Sequence, residues 1–397
     1  MTPSVEVREV GDDDLDAYYA VRAQAFGRPE SERTPWRDRV AADPAAARLG
    51  AYVGAKLVGG LRVLPGGQWM TGRRVSMGGV AAVVVAPEVR GRGVARALLF
   101  HGLGWMKERE LAVSALHPAT TRVYRSTGWE IAGDQENVAV PPRSLAAIRR
   151  GETLPVERVE RDDWPELREC YARSARRRHG FVDRSESFWM LREPAADADS
   201  WFTYAVWGND RISGYVRYQQ QPESGWGYQL RVDDFVADDL DSAASLWRFL
   251  GGHGMQVQRV EVPGPAVDQL ALLLDEQDLS TLAVNRWMHR IVDVPAAFEQ
   301  RGYPSSISGS VSLTVSDPWP EGAGGTWAIT VDDGAGSAAP TLKASITTDI
   351  GALSALNIGR FSVATLAAAG RIHGPEHELV RLGNLLAAPI PQLTDDF

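Results

Sequence analysis

Residues 83–103, VVVAPEVRGRGVARALLFHGL, pass from three valines through a loop of alternating arginine and glycine into an apolar pattern of helical spacing. The β-branched run predicts a strand. Val94, Ala97, Leu98 and Leu103 predict a helix that packs one side on a sheet. A helix entered this way leaves its first N–H groups unpaired at the positive end of its dipole, where phosphate binds. Gly91 and Gly93 let the backbone come close to an anion and take positive φ, and Arg90 and Arg92 add charge-assisted hydrogen bonds. A Walker loop would need Gly-Lys-Ser/Thr, and a dinucleotide fingerprint would need a small residue where Arg96 stands. On spacing alone, a solvated arginine-rich turn stays open.

Outward from this loop, residues 4–140 alternate strand and helix signals. VEVREV (5–10) reads as a strand, DDDLDAYYAVRAQAF (12–26) as a helix, and 49–66 and 75–87 as strands, with Gly59 and Gly60 marking a bend. PPRSLAAIRRGETLP (141–155) has prolines at both ends and reads as a linker. The pattern then restarts, with a helix at 163–180, strands at 200–221 and 228–237, and a helix at 240–254. At an offset of 151 residues, Val83–Ala86 falls on Asp234–Ala237 and Arg90 on Asp241, so the spacing survives while the arginines and glycines vanish. That is an internal duplication in which the first copy kept its loop chemistry. After 293 the composition turns to Gly, Ser and Ala, with β-like pieces at 309–318 and 325–334, helical patches at 350–359 and 362–370, and an extended tail, PIPQLTDDF.

At 397 residues, 44% hydrophobic and 23% charged, the chain has the composition of a soluble globular protein of two or three domains. No run is long enough to span a membrane, and the acidic start lacks a signal-peptide pattern, so a cytoplasmic location is expected. The single cysteine, Cys170, cannot form an intrachain disulfide. A net charge of −9 argues against nucleic acid and for cationic partners.

VVVAPEVRGRGVA resembles the acyl-coenzyme A loop of the GNAT acetyltransferases, whose Arg/Gln-x-x-Gly-x-Gly/Ala pattern is matched by Arg90, Gly93 and Ala95. YRSTGW (124–129) resembles that superfamily's Tyr-x-x-x-Gly-Phe segment, with Trp129 for Phe. Over essentially the whole chain the layout is similar to a narrower family, the Eis (enhanced intracellular survival) acetyltransferases. The resemblance implies tandem GNAT folds, the first active (1–145) and the second degenerate (146–292), then a sterol-carrier-protein-like α+β domain (293–397). It implies acetyl-CoA as co-substrate, no metal, N-acetylation of polycationic small-molecule amines such as aminoglycosides by direct transfer, and a homo-oligomer, a hexamer of paired trimers.

The same resemblance assigns roles. Val83, Val84, Val85, Arg90, Gly91, Arg92, Gly93, Val94 and Ala95 would hold the coenzyme, the N–H of Val85 polarising the acetyl carbonyl. Tyr124 would be the general acid and the terminal carboxylate of Phe397 the base. Phe26 and Trp36 would wall the acceptor cleft, with Glu30, Glu32, Asp395 and Asp396 attracting cations. A surface loop over buried aromatics explains the Phe26–Trp36 stretch as well. His117 is expected near the groove in a supporting role. RSARRRHG (173–180) reads as a solvated helix face, Cys170 as a buried apolar residue, and His373 with His377 as no zinc site because Gly374 and Pro375 break the helix between them. Protein-lysine acetylation, a non-catalytic acyl-CoA sensor and lipid carriage by the third domain are the competing functions.

Overall fold

The computed structural model describes residues 5–192, 201–208, 211–222 and 227–397. The first unit begins with β1 (Val5–Glu9), α1 (Leu15–Phe26), α2 (Arg33–Ala42), β2 (Ala47–Val53), β3 (Lys56–Met70) and β4 (Arg73–Val85). It continues with α3 (Val94–Glu108), β5 (Val113–Leu116), α4 (Thr121–Arg125) and β6 (Glu130–Val140). Leu98, Leu99, Leu103 and Met106 of α3 are buried on the sheet, as the helical spacing requires. Gly59 and Gly60 do not bend the chain as expected, because β3 runs through them without a break. They are glycines for room: a Cβ on Gly60 would sit 2.4 Å from the Tyr18 ring, and one on Gly59 2.9 Å from the Val84 carbonyl.

The expected linker joins the two units but is packed rather than loose. It opens with α5 (Pro142–Ala146), whose Leu145 is buried, and Gly251 lets a neighbouring helix approach so closely that a Cβ there would lie 2.4 Å from the Ala146 nitrogen. The second unit follows as β7 (Val156–Arg158), α6 (Trp164–Arg176), β8 (Val182–Asp183), α7 (Glu186–Arg192), β9 (Trp201–Gly208), β10 (Arg211–Pro222) and β11 (Tyr228–Ala237). After these come α8 (Leu240–Gly251), β12 (Val257–Pro263), α9 (Val267–Ala271) and β13 (Ser280–Ile291). The arginine run is solvated in part, as Arg176 and Arg177 are exposed, but it is also tied down: Arg173 and Arg177 clamp Asp238 at 3.1 and 2.7 Å, and half-buried Arg178 reaches the Pro265 carbonyl.

Among the described residues the two units share one sheet, ordered β1-β2-β3-β4-β5-β13-β6-β12-β11-β10-β9-β7. The copies exchange their last strands. β13 of the second unit lies against β5 of the first, β6 of the first lies against β12 of the second, and β6 and β13 pair with each other. The duplication shows in an irregularity as well as in element order. β4 slips register against β3 around Ala82, which has φ +50°, and β11 slips against β10 around Asp233, 151 residues later.

The third unit contains α10 (Val294–Gln300), β14 (Gly309–Ser316), β15 (Gly325–Asp332), β16 (Ala335–Pro340), β17 (Ile346–Asp349), α11 (Ile350–Asn357), α12 (Val363–Ala368), β18 (Ile372–His373) and α13 (Glu376–Leu385). Its sheet, ordered β16-β15-β14-β17-β18, makes it the expected α+β unit. α11 is buried along its whole length, and its Ser354 hydroxyl accepts the Ile291 N–H of β13. Arg371 reaches out of this unit to Glu130 at 2.9 Å.

His179 ties all three units. Its Nδ1 accepts the Thr71 N–H at 3.0 Å, its Nε2–H donates to the Ile358 carbonyl at 2.9 Å, and its own carbonyl accepts the Gln392 N–H. Burial pushes its pKa down to about 4, so the folded protein holds it neutral. Because the unfolded chain binds the proton more readily, stability is full above the ordinary histidine value and falls as pH drops from about 6.5 to about 4. His179 accounts for about 3 kcal/mol of that loss. Chemical-denaturation midpoints measured from pH 7.5 to 4 will therefore decline steeply below pH 6. His179→Gln will be less stable at pH 7 and flatter over that window; an unchanged slope refutes the assignment.

Candidate active site

β4 and β5 run parallel and pair from Met77–Val113 to Val80–Leu116, and there the pairing ends. The bulge at Ala82 and the end of β5 at His117-Pro118 part the strands, while β4 continues against β3 as far as Val85. Val83, Val84 and Val85 therefore present a strand edge with no partner on the β5 side.

That edge leads into the arginine-glycine loop. Gly91 has φ +75° and Gly93 φ +83°, with open space where a Cβ would be, so both adopt the left-handed backbone that favours glycine. The first backbone bond of α3 runs from Ala97 N–H to the Gly93 carbonyl, which leaves the amides of Val94, Ala95 and Arg96 at an open end. No side chain caps it. Arg90, Arg92 and both glycines are exposed around this end, and Arg90 Nε lies 3.3 Å from the Val85 carbonyl. The matching helix of the second unit, α8, is closed by its own carboxylate, Asp239 accepting Ser242 N–H at 2.8 Å. The first copy thus keeps an open helix end that the second closes with a carboxylate.

Beside the strand edge lies a cavity of about 440 Å³ whose lining includes Val83, Tyr124, His117, Phe26, Trp36 and Phe397. Tyr124 stands on α4, just ahead of a turn in which Trp129 N–H donates to the Tyr124 carbonyl. Gly128 makes the turn possible. It has φ +95°, and a Cβ there would lie 1.6 Å from Arg290 Nη1. Burial pushes the Tyr124 phenol up to about 12, so it stays protonated at neutral pH. Trp36 is buried against Tyr18 and Tyr19, with ring centroids 6.0 and 5.2 Å away, while Phe26 is 49% exposed at the rim.

The tail threads back from the third unit to this cavity. Buried Asp395 accepts Arg184 Nε at 2.8 Å and the Tyr171 hydroxyl at 3.3 Å, and Arg192 holds the Thr394 carbonyl at 3.0 Å. The ring of Phe397 then seats edge-on against His117 and Phe188, in space left by Gly79. His117 Nε2–H donates to the Asp395 carbonyl at 3.0 Å.

The expected acidic rim does not assemble. Asp395 is turned inward to Arg184, and Asp396 lies outside the cavity lining, 3.7 Å from His117. Glu30 pairs with Arg33 and Glu32 with Arg28. The cavity is lined instead by Arg22, Arg28, Arg39, Arg48 and Arg62. None of the five stands out in sequence, because they lie on α1, the loop after it, α2, β2 and β3, and only the folded sheet gathers them. Cys170 is fully buried with its thiol pushed up to about 12, as befits an apolar core residue.

The GNAT acetyltransferase domain model matches residues 6–132, a second model of the same description matches 180–291, and the sterol carrier protein domain model matches 294–394. The N-acetyltransferase Eis of Mycobacterium tuberculosis is 29% identical, the match covering 96% of this chain and 97% of the relative. Two GCN5-related N-acetyltransferases of known structure are each 30% identical. The one from Anabaena variabilis covers 99% of this chain and all of its own at a TM-score of 0.92, and the one from Kribbella flavida covers 100% and 99% at 0.87. Eis1 from Mycobacterium abscessus, at 24% identity and a TM-score of 0.79 over 99% of this chain and 100% of its own, shares the fold. With two GNAT units and an SCP-like third unit, this chain belongs to the Eis family of GNAT N-acetyltransferases, acyltransferases that use acetyl-CoA.

Proposed function

We propose that the first unit transfers acetyl from acetyl-CoA directly to a primary amine while both are bound. The observation that carries this reading is that one cavity brings together an unpaired strand edge at Val83, a buried neutral phenol and the last residue of the chain. Among the described residues lining it there is no serine, cysteine or lysine to carry an acyl group, which favours direct transfer. Arg90, Arg92 and the amides of Gly93, Val94 and Ala95 would hold the diphosphate, and the Val83–Val85 edge would take the pantetheine arm as a strand takes a neighbour. The Val85 N–H would then stabilise charge on the acetyl oxygen.

The amine nitrogen attacks the acetyl carbon, the C–N bond forms, and the C–S bond breaks with its electrons leaving on sulfur. Tyr124 donates a hydrogen bond to that sulfur. At a pKa of about 12, full proton transfer to a thiolate of about 8.5 is uphill by about 4 to 5 kcal/mol. The phenol therefore stabilises the leaving thiolate more than it protonates it. The resemblance assigns the amine's proton to the Phe397 carboxylate; the ring of that residue already sits in the cavity. A homo-hexamer of paired trimers is proposed on the resemblance alone. The same resemblance extends to aminoglycosides, but a cavity lined by five arginines, with no aspartate or glutamate among its described lining and only the terminal carboxylate of Phe397, gives a polycation little counter-charge.

Thiol-release kinetics will show kcat of Tyr124→Phe lowered about 100-fold with the KM for acetyl-CoA within about twofold. The wild-type rate will keep no alkaline limb from this group below pH 10, since its pKa lies near 12. Gly93→Val, which forces a branched residue into φ +83°, will raise the KM for acetyl-CoA about 10-fold or more. One glycine added after Phe397 converts its carboxylate to an amide and will lower kcat about 100-fold while calorimetric acetyl-CoA binding stays intact. Unchanged turnover in either the tyrosine or the extended variant removes that residue from the chemistry.

A further inference from the structure

The arginines are the feature of the cavity that the acetyl-transfer reading leaves unused. Arg48 on β2 stands directly opposite Arg62 on β3, and Arg62 opposite Ala81 on β4, so two guanidinium-bearing positions form a row across the sheet starting at the reactive strand. Like charges paired across strands destabilise a sheet unless something neutralises them. Asp43 binds Arg62 but also accepts the Ser187 hydroxyl and is one charge against two. Arg48 spends Nη2 on the carbonyls of Val40 and Asp43. The Nε atoms of Arg48 and Arg62 are both buried without a partner. Arg22, half-buried on α1, has no carboxylate partner among the described residues, and burial together with neighbouring Arg28 pushes its pKa down. In the second unit, by contrast, buried Arg184, Arg192 and Arg217 are each paired with Asp233, Asp234 or Asp395. Even with Asp43 on Arg62, Glu32 on Arg28 and the terminal carboxylate of Phe397, the arginines gathered at this cavity outnumber the carboxylates beside them.

We propose that the acceptor is an anionic amine, a primary amine that also carries a carboxylate or a phosphate, whose anion is held by Arg22, Arg48 and Arg62. Strand spacing places Arg62 about 5 Å and Arg48 about 10 Å from the reactive strand at the backbone, so amine and anion are separated by several bonds. Trp36 and Phe26 flank the space for an apolar spacer. This rests on the acetyltransferase reading and names the substrate class of the same site.

The test uses the full-length protein, acetyl-CoA and matched acceptors: 6-aminohexanoate against 1-aminohexane, glucosamine 6-phosphate against glucosamine, and kanamycin as a polycation. We expect kcat/KM at least about 10-fold higher for the anionic member of one pair, and which pair responds tells carboxylate from phosphate. Raising salt will shrink that advantage. Arg48→Gln will reduce it to about threefold or less, as will Arg22→Gln, whose side chain makes no ion pair among the described residues. Preference for kanamycin or the uncharged members, turnover of neither anionic member, or a ratio untouched by both substitutions overturns the proposal and leaves acetyl transfer standing. If calorimetry shows no acetyl-CoA uptake and no amine is turned over, the acetyltransferase reading itself falls, and this one with it.

Discussion

The exchange of β6 and β13 is the constraint on which the rest of the molecule depends. Each GNAT unit completes its sheet with a strand made by the other, so β5 finds its neighbour only after the chain has passed through the whole second unit. A lone first unit would expose the β5 edge and strip the cover from the wedge beside it. Half of a continuous sheet cannot be removed without opening the other half, so the first unit depends on the second whatever chemistry the second performs.

The exchange also decides what builds the cavity. With the two sheets fused, α7 of the second unit is carried against β3 of the first, where Met190 and Leu191 join the lining and Phe188 packs edge-on to Phe397. The third unit is fastened to the same junction through buried polar groups: Arg290 with Asp317, Arg371 with Glu130, and His179 with Ile358. Burial alone would raise the Glu130 carboxyl, but hydrogen bonds from Arg125 and Arg371 hold it below the usual range, so it remains charged where the units meet. Three units from distant stretches of sequence thereby surround one reaction space.

How much of this was legible follows from the range of the interactions involved. The strand-loop-helix at 83–103 is local, set by β-branched valines, glycines at positive φ and helical spacing, and the structure places it as read. The repeat at 151 residues was visible because strand and helix spacing is also local, and it carried over to the bulges at Ala82 and Asp233. Gly59 and Gly60 misled because glycine for space and glycine for a bend look alike in one dimension; only the Tyr18 ring distinguishes them. The net charge of −9 misled in the same way, since a sum over 397 residues says nothing about five arginines converging from α1, the following loop, α2, β2 and β3. Strand exchange left no local trace, because β13 has the same pattern whichever unit it joins.

The most economical link between the duplication and the site runs through one pair of equivalent positions. Val83 stands on the free edge of β4, where an apolar side chain leaves the backbone available to a ligand. Its counterpart 151 residues on is Asp234, and a carboxylate there cannot serve an acyl chain. It is buried instead with Arg184 at 2.7 Å and the Tyr215 hydroxyl at 2.7 Å. Arg184, itself fully buried, uses its remaining reach to hold Asp395. Breaking either partner would strand a buried charge, a penalty of several kcal/mol, so the pairing acts as a fixed anchor rather than a surface contact. Two residues beyond that anchor lies Phe397, in the first copy's cavity. The position equivalent to Val83 thus fixes the point from which the tail reaches the first copy's cavity, and the second copy positions part of a cavity that the first copy's strand edge borders.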